Sequence, residues 1–171
     1  MSPQHTEFVK RNESYVASFG GKDALPMPPA KKLIVVTCMD ARLDPAAHLG
    51  LKEGDAHVIR NAGGCVRDAL RSLVISQRLL GTREIAVFHH TDCGMLTFTS
   101  DALRRIVKDA APGDAAVAAR VDEIDFLEFE DLHASVKEDV AWVTGEALLL
   151  PETTVTGWVY DVKSGRVVQV V

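Results

Sequence analysis

The sequence is poor in cysteine, and this scarcity limits the ways in which the chain can be held together. It contains three cysteines in 171 residues: Cys38, Cys65 and Cys93. So odd and sparse a set does not build the disulfide framework that small secreted domains use in place of a large core. Each thiol is then a metal ligand, a reactive group or a core residue. No basic region followed by an apolar stretch marks a secretory signal, so we expect a cytoplasmic protein.

The sequence also lacks an excess of positive charge and any long apolar run. Its net charge is −5 and its isoelectric point is near 5.6, which argues against nucleic acid or an anionic membrane as a partner. No apolar run approaches the ~18 residues that span a bilayer. With 47% hydrophobic residues, the chain can bury a core, and its length predicts a single domain over residues 1–171.

Short apolar runs rich in β-branched residues alternate with a helical pattern in the first half of the chain. Leu33–Thr37 has no polar face, as expected of a central parallel strand covered on both sides. Arg67–Leu80 places its apolar residues at helical spacing, and Gly81 follows it. These features predict an α/β fold with a central, mostly parallel sheet flanked by helices. The three predicted strands are Leu33–Thr37, His57–Arg60 and Glu84–Phe88.

The two ends of the chain differ from this central pattern. Thr6–Phe19 has one apolar helical face, and a proline-rich stretch follows, so residues 1–29 predict a helical arm with a connector and residues 30–171 the α/β core. Near the C-terminus, Lys163-Ser164-Gly165 is a hairpin signal that favours an added strand. The predicted helices between are Asp101–Ala111, Asp114–Phe129 and Asp131–Leu149, and the hairpin strands are Thr153–Val162 and Arg166–Val171.

Polar clusters follow two of the predicted strands, at the point where each strand ends. Cys38 comes directly after the first strand, and His90 and Cys93 come after the third. In an open parallel sheet the carboxyl ends of neighbouring strands meet at one edge, where functional sites form. Either cluster alone is more simply explained as a core cysteine or a hydrogen-bonded histidine. Together, two thiols and an imidazole suit Zn²⁺, and three protein ligands leave a position open, which is typical of a catalytic site.

These clusters resemble the paired signature of the β-class carbonic anhydrases. Cys-x-Asp-x-Arg at Cys38, Asp40 and Arg42 is followed by His-x-x-Cys at His90 and Cys93. The turn Arg60-Asn61-Ala62-Gly63 is similar as well, and the resemblance extends from about Ala30 to Gly94 and resumes weakly in the C-terminal strand. It implies a parallel sheet with an added fifth strand and one Zn²⁺ per chain on Cys38, His90 and Cys93. It also implies subunits that associate as dimers or larger homo-oligomers, which the apolar arm favours.

The resemblance implies catalytic roles for Asp40 and Arg42. Asp40 would accept a hydrogen bond beside the open zinc position, or would itself become the fourth ligand and close the site. Arg42 would decide between these arrangements, because a guanidinium paired with the carboxylate holds Asp40 off the metal. Gly94 would let the backbone approach the substrate closely.

The sequence leaves more than one small carbon compound possible as the substrate. Plant-like members have a substrate-contacting glutamine nine residues before the first zinc cysteine, whereas Pro29 stands here. The chain instead resembles a compact microbial branch that includes carbonyl sulfide hydrolases. Reversible hydration of CO₂ is the first hypothesis, hydrolysis of COS or CS₂ by the same site is the second, and a non-catalytic zinc-stabilised binding module is the third.

Other polar residues near the clusters have more ordinary interpretations. Cys65 is interpreted as a core or helix-start residue. His89 faces the opposite side of its strand from His90, which favours a packing or supporting role. Asp92 could orient the turn or carry protons, and the sequence does not choose between these roles.

Overall fold

The buried β-branched runs form the centre of a five-stranded sheet in the computed structural model, which describes residues 3–171. The strands are β1 (Leu33–Cys38), β2 (Ala56–Asn61), β3 (Glu84–His90), β4 (Thr154–Tyr160) and β5 (Val167–Gln169). Their order is β2-β1-β3-β4-β5. The first four are parallel and β5 is antiparallel to β4, so the mostly parallel sheet and its added C-terminal strand are confirmed.

Helices flank this sheet, as the alternating pattern predicts. The helices of the described chain are α1 (Phe8–Ala17), α2 (Pro45–Leu49), α3 (Val66–Leu80), α4 (Ser100–Ala110), α5 (Ala115–Asp122) and α6 (Leu132–Gly145). α3 and α6 bury Leu73 and Val140 against strand residues that include Ile34, Ile85 and Val87. Within residues 3–171, no helix combines the length and the apolar character needed to cross a bilayer.

The pairing of β1 with β3 brings the two polar clusters to one edge of the sheet. Thr37 on β1 lies level with Phe88 on β3, so Cys38 ends its strand beside the pair His89-His90. The turn before α3 packs into the same corner through Gly64, whose φ is +76°. A Cβ at Gly64 would lie 3.0 Å from the backbone nitrogen of Cys38, so only glycine lets this turn approach β1 so closely.

The N-terminal segment forms the expected helix, with its start two residues later than predicted. A 3-10 turn at Gln4–Glu7 precedes α1, which then runs to Ala17. Its apolar side chains Phe8, Val9 and Val16 are exposed. Glu53 connects the N-terminal segment to the core, because it accepts a hydrogen bond from Tyr15 (2.5 Å) and forms an ion pair with Lys22. Residues 3–171 therefore leave most of the apolar face of α1 exposed.

Two helical predictions need correction, and one short helix was not predicted. α5 ends at Asp122, although a helix to Phe129 was expected. Leu127 has a left-handed backbone (φ +56°), and its N–H is accepted by the side chain of Asp125 (3.2 Å), so the chain turns instead of continuing the helix. α6 ends at Gly145, short of the predicted Leu149, and α2 was not predicted.

Candidate active site

Cys38, His90 and Cys93 converge at the carboxyl ends of β1 and β3. The two Sγ atoms and one His90 ring nitrogen all lie within 4.8 Å of one another. All three side chains are buried, and none of the cysteines forms a disulfide. The structure thus brings together the three residues that the sequence predicts as metal ligands, and they form a group able to hold a metal ion.

The hydrogen bonding of His90 leaves one ring nitrogen free for a ligand. Its Nδ1 lies 2.9 Å from the carbonyl oxygen of Thr91. A carbonyl only accepts hydrogen bonds, so Nδ1 carries the proton and Nε2 presents a lone pair. This Nε2 is fully buried and has no hydrogen-bond partner among the described residues. A buried acceptor left unpaired costs free energy, and a metal ion at this position would satisfy it.

The two thiols share their protons unequally. The neighbouring Cys93 thiol and the backbone N–H groups of Asp40 and Gly63 lower the pKa of Cys38 below its ordinary value. The same contact with Cys38, together with burial, raises the pKa of Cys93. Of the two sulfurs, that of Cys38 is therefore favoured as the thiolate, the form of cysteine that binds metals.

Arg42 joins the two loops that carry these residues. Its Nη2 and Nε donate to the two carboxylate oxygens of Asp40 at 2.7 and 3.0 Å, and its Nη1 donates to Asp92 Oδ2 at 2.7 Å. The guanidinium holds the pKa of the Asp40 carboxyl well below its usual range. Asp40 is thus an ionised acceptor, and its Oδ2 lies 3.7 Å from Nε2 of His90.

Two further residues, whose roles the sequence indicated only weakly, hold the loops around Asp40 and Arg42 in place. Asp92 has a left-handed backbone (φ +56°), which also turns its carbonyl oxygen to within 3.0 Å of Arg42 Nη2. Arg60 reaches across from β2 and donates to the carbonyl oxygens of Cys38 (3.1 Å) and Asp40 (2.7 Å). The arginine of the Arg60–Gly63 turn was the available signal, but its partners depend on the pairing of β1 with β2.

A mostly apolar cavity of about 400 Å³ opens beside the thiols. Asp40 supplies its polar edge, and Gly94 lies at its rim with no neighbouring atom within 4 Å of where a side chain would begin. Its apolar walls come from Met95, Phe98, Leu103 and Phe126. Sequence reasoning missed these walls, because Phe126 enters the cavity from the irregular segment that follows α5.

The remaining candidates lie outside this cavity. Cys65 is the buried residue before α3, and burial raises the pKa of its thiol to about 12, which fits the core interpretation. His89 faces α6 and contacts Ser135 and Asp139. Pro29 is buried before β1, at the opposite edge of the sheet from Cys38.

Comparison with known proteins matches this geometry to one enzyme family. The family model described as carbonic anhydrase matches residues 33–167, a longer span than the quoted motifs cover. β-Carbonic anhydrase 1 of Mycobacterium tuberculosis is 42% identical over 165 residues, or 96% of each chain. A carbon disulfide hydrolase of Acidianus sp. is 37% identical over 92% of this chain and 84% of its own.

Solved structures agree. A carbonic anhydrase from Glaciozyma antarctica superposes with a TM-score of 0.91 at 55% identity, and the match covers 95% of each chain. The chain belongs to the β-carbonic anhydrase family of lyases, in a branch that also contains carbon disulfide hydrolases.

Proposed function

We propose that this protein hydrates CO₂ reversibly to bicarbonate and a proton, with one Zn²⁺ per chain held by Cys38, His90 and Cys93. The observation that carries the proposal is the buried Nε2 of His90, unpaired among the described residues, beside the sulfurs of two cysteines that line an apolar cavity. Sulfur and imidazole nitrogen are ligands that zinc prefers, and three of them leave one position for a reactant. When bound, the ion supplies a water acidic enough to lose its proton near neutral pH.

Asp40 acts beside this position as a hydrogen-bond acceptor. Because Arg42 keeps the pKa of Asp40 low, Asp40 stays a carboxylate throughout the neutral pH range. It can therefore accept a hydrogen bond without itself becoming protonated. Such an acceptor orients the attacking oxygen toward the carbon of the substrate. Arg42 holds both carboxylate oxygens, so it keeps Asp40 from turning onto the metal.

The cavity suits a small apolar substrate. CO₂ carries no charge, so the walls formed by Met95, Phe98 and Phe126 need offer it only shape and apolar surface. The exposed backbone at Gly94 leaves the rim open for approach. Asp40, paired with Arg42, stands at one edge of the cavity.

Hydrolysis of COS or CS₂ to H₂S and CO₂ is the second candidate. It uses the same nucleophile on another linear, apolar molecule, and the carbon disulfide hydrolase relative together with the apolar walls favours it. The experiment that tests both is turnover of CO₂, COS and CS₂ by the same purified protein, with zinc measured per chain. We expect one zinc and faster turnover of CO₂. Faster turnover of COS or CS₂ would make the hydrolase the first candidate. If the protein turned over none of the three compounds, both candidates would be contradicted.

A pair of cysteine variants tests the metal assignment. Cys38→Ser removes a proposed ligand, whereas Cys65→Ser changes a buried thiol outside the triad, so only the first should lose zinc and activity. Equal zinc content in the two variants would contradict the ligand set. Zinc analysis by mass spectrometry after dialysis gives the comparison directly.

We also propose that the protein works as a homo-oligomer in which α1 packs on a partner subunit. Phe8, Val9 and Val16 expose apolar surface that the chain does not cover itself, and burial of this surface favours association. Light scattering should show at least a dimer, and V16E should weaken it. A monomeric wild-type protein would contradict the proposal. The cytoplasmic location expected from the sequence stays a prediction.

A further inference from the structure

His89, which directly precedes the proposed ligand His90, is held by a buried polar network that the proposed reaction does not use. Its ring is 1% exposed and stacks on Phe129, with the ring centres 5.1 Å apart. Its Nε2 lies 3.2 Å from Oδ2 of Asp139, and its Nδ1 lies 2.8 Å from Oγ of Ser135. A carboxylate only accepts, so Nε2–H is the donor to Asp139. Both partners lie on α6, which carries none of the proposed ligands.

Asp139 makes a second bond through the same oxygen. Its Oδ2 also accepts the backbone N–H of Val66, the first residue of α3, at 3.2 Å. One atom on α6 therefore ties the end of β3 to the start of α3. Because Asp139 is largely buried, with its side chain 14% exposed, water competes little for these bonds.

One of these two segments carries a proposed ligand, and the other packs against a second one. On β3, the residue after His89 is His90. Before α3, the turn through Gly63 and Gly64 packs on β1, and the Gly63 N–H faces the sulfur of Cys38. The position of Cys38 relative to His90 thus depends on two segments that meet at one carboxylate oxygen.

We propose that Asp139 and His89 are positioning residues, which set the relative placement of Cys38 and His90 and thereby the affinity and geometry of the metal site. This inference rests on the proposed metal site and extends it to a layer of residues that touch neither metal nor substrate. Hydrogen-bonding partners behind metal ligands commonly contribute about 10- to 100-fold to metal affinity or activity. We expect the lower end of that range, because the contact acts through the backbone.

Three variants on α6 separate positioning from general stability. Asp139→Ala removes the shared acceptor. Asp139→Asn keeps an oxygen that can occupy the Oδ2 position and accept from both donors, so it should rescue the site. Glu138→Ala removes a negative charge from the adjacent, exposed position, which forms no hydrogen bond among the described residues, and serves as the matched control.

The experiment measures binding of Co²⁺ to the metal-free proteins. A titration gives the affinity, and the visible absorption spectrum of bound Co²⁺ reports the geometry of its ligands. We expect Asp139→Ala to bind Co²⁺ about tenfold more weakly than wild type with an altered spectrum. Asp139→Asn and Glu138→Ala should keep the wild-type affinity and spectrum. A folded Asp139→Ala protein with wild-type affinity and spectrum would overturn the inference, whatever its melting temperature.

A second variant covers the case in which Asp139→Ala does not fold. His89→Phe keeps an aromatic ring to stack on Phe129 and loses both hydrogen bonds, so it should show the same weakened affinity and altered spectrum. An unchanged site in His89→Phe would overturn the inference. Failure of the proposed metal site has a different signature, because the wild-type protein itself would then bind no Co²⁺, and failure of the proposed reaction would show as a wild-type protein that binds Co²⁺ but does not turn over CO₂.

Discussion

The two histidines at the end of β3 are neighbours in sequence and lie in opposite surroundings. On the His89 side, every polar atom of the ring has a partner, and the ring is stacked on Phe129. On the His90 side, one nitrogen is bonded and the other is buried beside two sulfurs, without a hydrogen-bond partner in the described part of the chain. A fold spends free energy to leave a polar atom unpaired, so the unpaired side is where a ligand is expected. The paired side supplies the rigidity that holds it there.

The largest expected effect is the difference in zinc affinity between two variants that carry the same substitution, one at His90 and one at His89. His90→Phe removes a proposed ligand, so zinc affinity should fall by more than about 100-fold, beyond what the loss of a supporting partner costs, and turnover should fall to background. His89→Phe should retain zinc with only about tenfold weaker affinity. Zinc content after dialysis against a chelator series measures the difference. Equal losses in the two variants would break the comparison between the two sides.

The second largest loss of activity is expected from a change of Arg42, which holds the Asp40 carboxylate near His90. Arg42→Ala frees the Asp40 carboxylate, which can then turn onto the metal and close the site. We expect kcat/KM to fall by about 10²- to 10³-fold, the usual cost of losing an aligned charged group, while zinc stays bound. Arg42→Lys, which keeps the charge without the fork, should recover only part of the activity. Wild-type turnover in Arg42→Ala would show that this pairing has no catalytic role.

The pH dependence should identify which group titrates beside His90. Two thiolate ligands offset the charge of the metal, so we expect kcat/KM to rise between pH 7 and 9, by up to about tenfold per unit. Asp40 is not the titrating group. Its pKa is depressed by Arg42, so the carboxylate is ionised above its ordinary pKa of about 3.9, and its contribution is lost only as the pH falls further.

A pH–rate profile of wild type beside Asp40→Asn separates these groups. The variant should be slower at every pH and rise over the same range. A wild-type profile that is flat from pH 6 to 9 would contradict the role given to the thiolates.

The smallest loss of turnover is expected from a change of Asp92, the exposed carboxylate that pairs with Arg42. Asp92→Asn keeps the carbonyl contact and tolerates the left-handed backbone, and it loses only the charge of a side chain that is 71% exposed. Exposed ion pairs contribute about 0.2–1 kcal/mol, so turnover should fall at most roughly fivefold. Salt should slow the wild type toward the variant, because it screens this pair. A loss as large as that of Arg42→Ala would make Asp92 an equal partner of Asp40.

The sequence predicted well that Cys38, His90 and Cys93 converge, because their convergence follows from topology. Adjacent parallel strands end at the same edge, so Cys38 and His90 meet once β1 and β3 are placed side by side. The walls of the cavity do not follow from such a rule. Phe126 reaches the site only because Asp125 and Leu127 turn the chain after α5, where helical periodicity suggested continuation.

The support behind His89 was equally inaccessible from the sequence. Alternation along β3 predicts that His89 faces away from His90, and this is confirmed. Which residue would meet it there depends on how α6 is rotated on the sheet, and no local pattern fixes that rotation. Asp139 also bonds the start of α3, a contact between segments far apart in the chain.

The order of the strands also fixes when the site can appear during folding. β1 pairs with β3 across an intervening crossover that contains β2 and α3, so Leu33 must find Glu84 before Cys38 can meet His90. Pairings between distant segments form late and slowly, because the entropy of closing the loop comes first. A metal held by Cys38 and His90 would therefore bind only a chain whose central strands are already assembled, and its uptake would report completion of the sheet. Excess metal should then slow unfolding far more than it speeds folding.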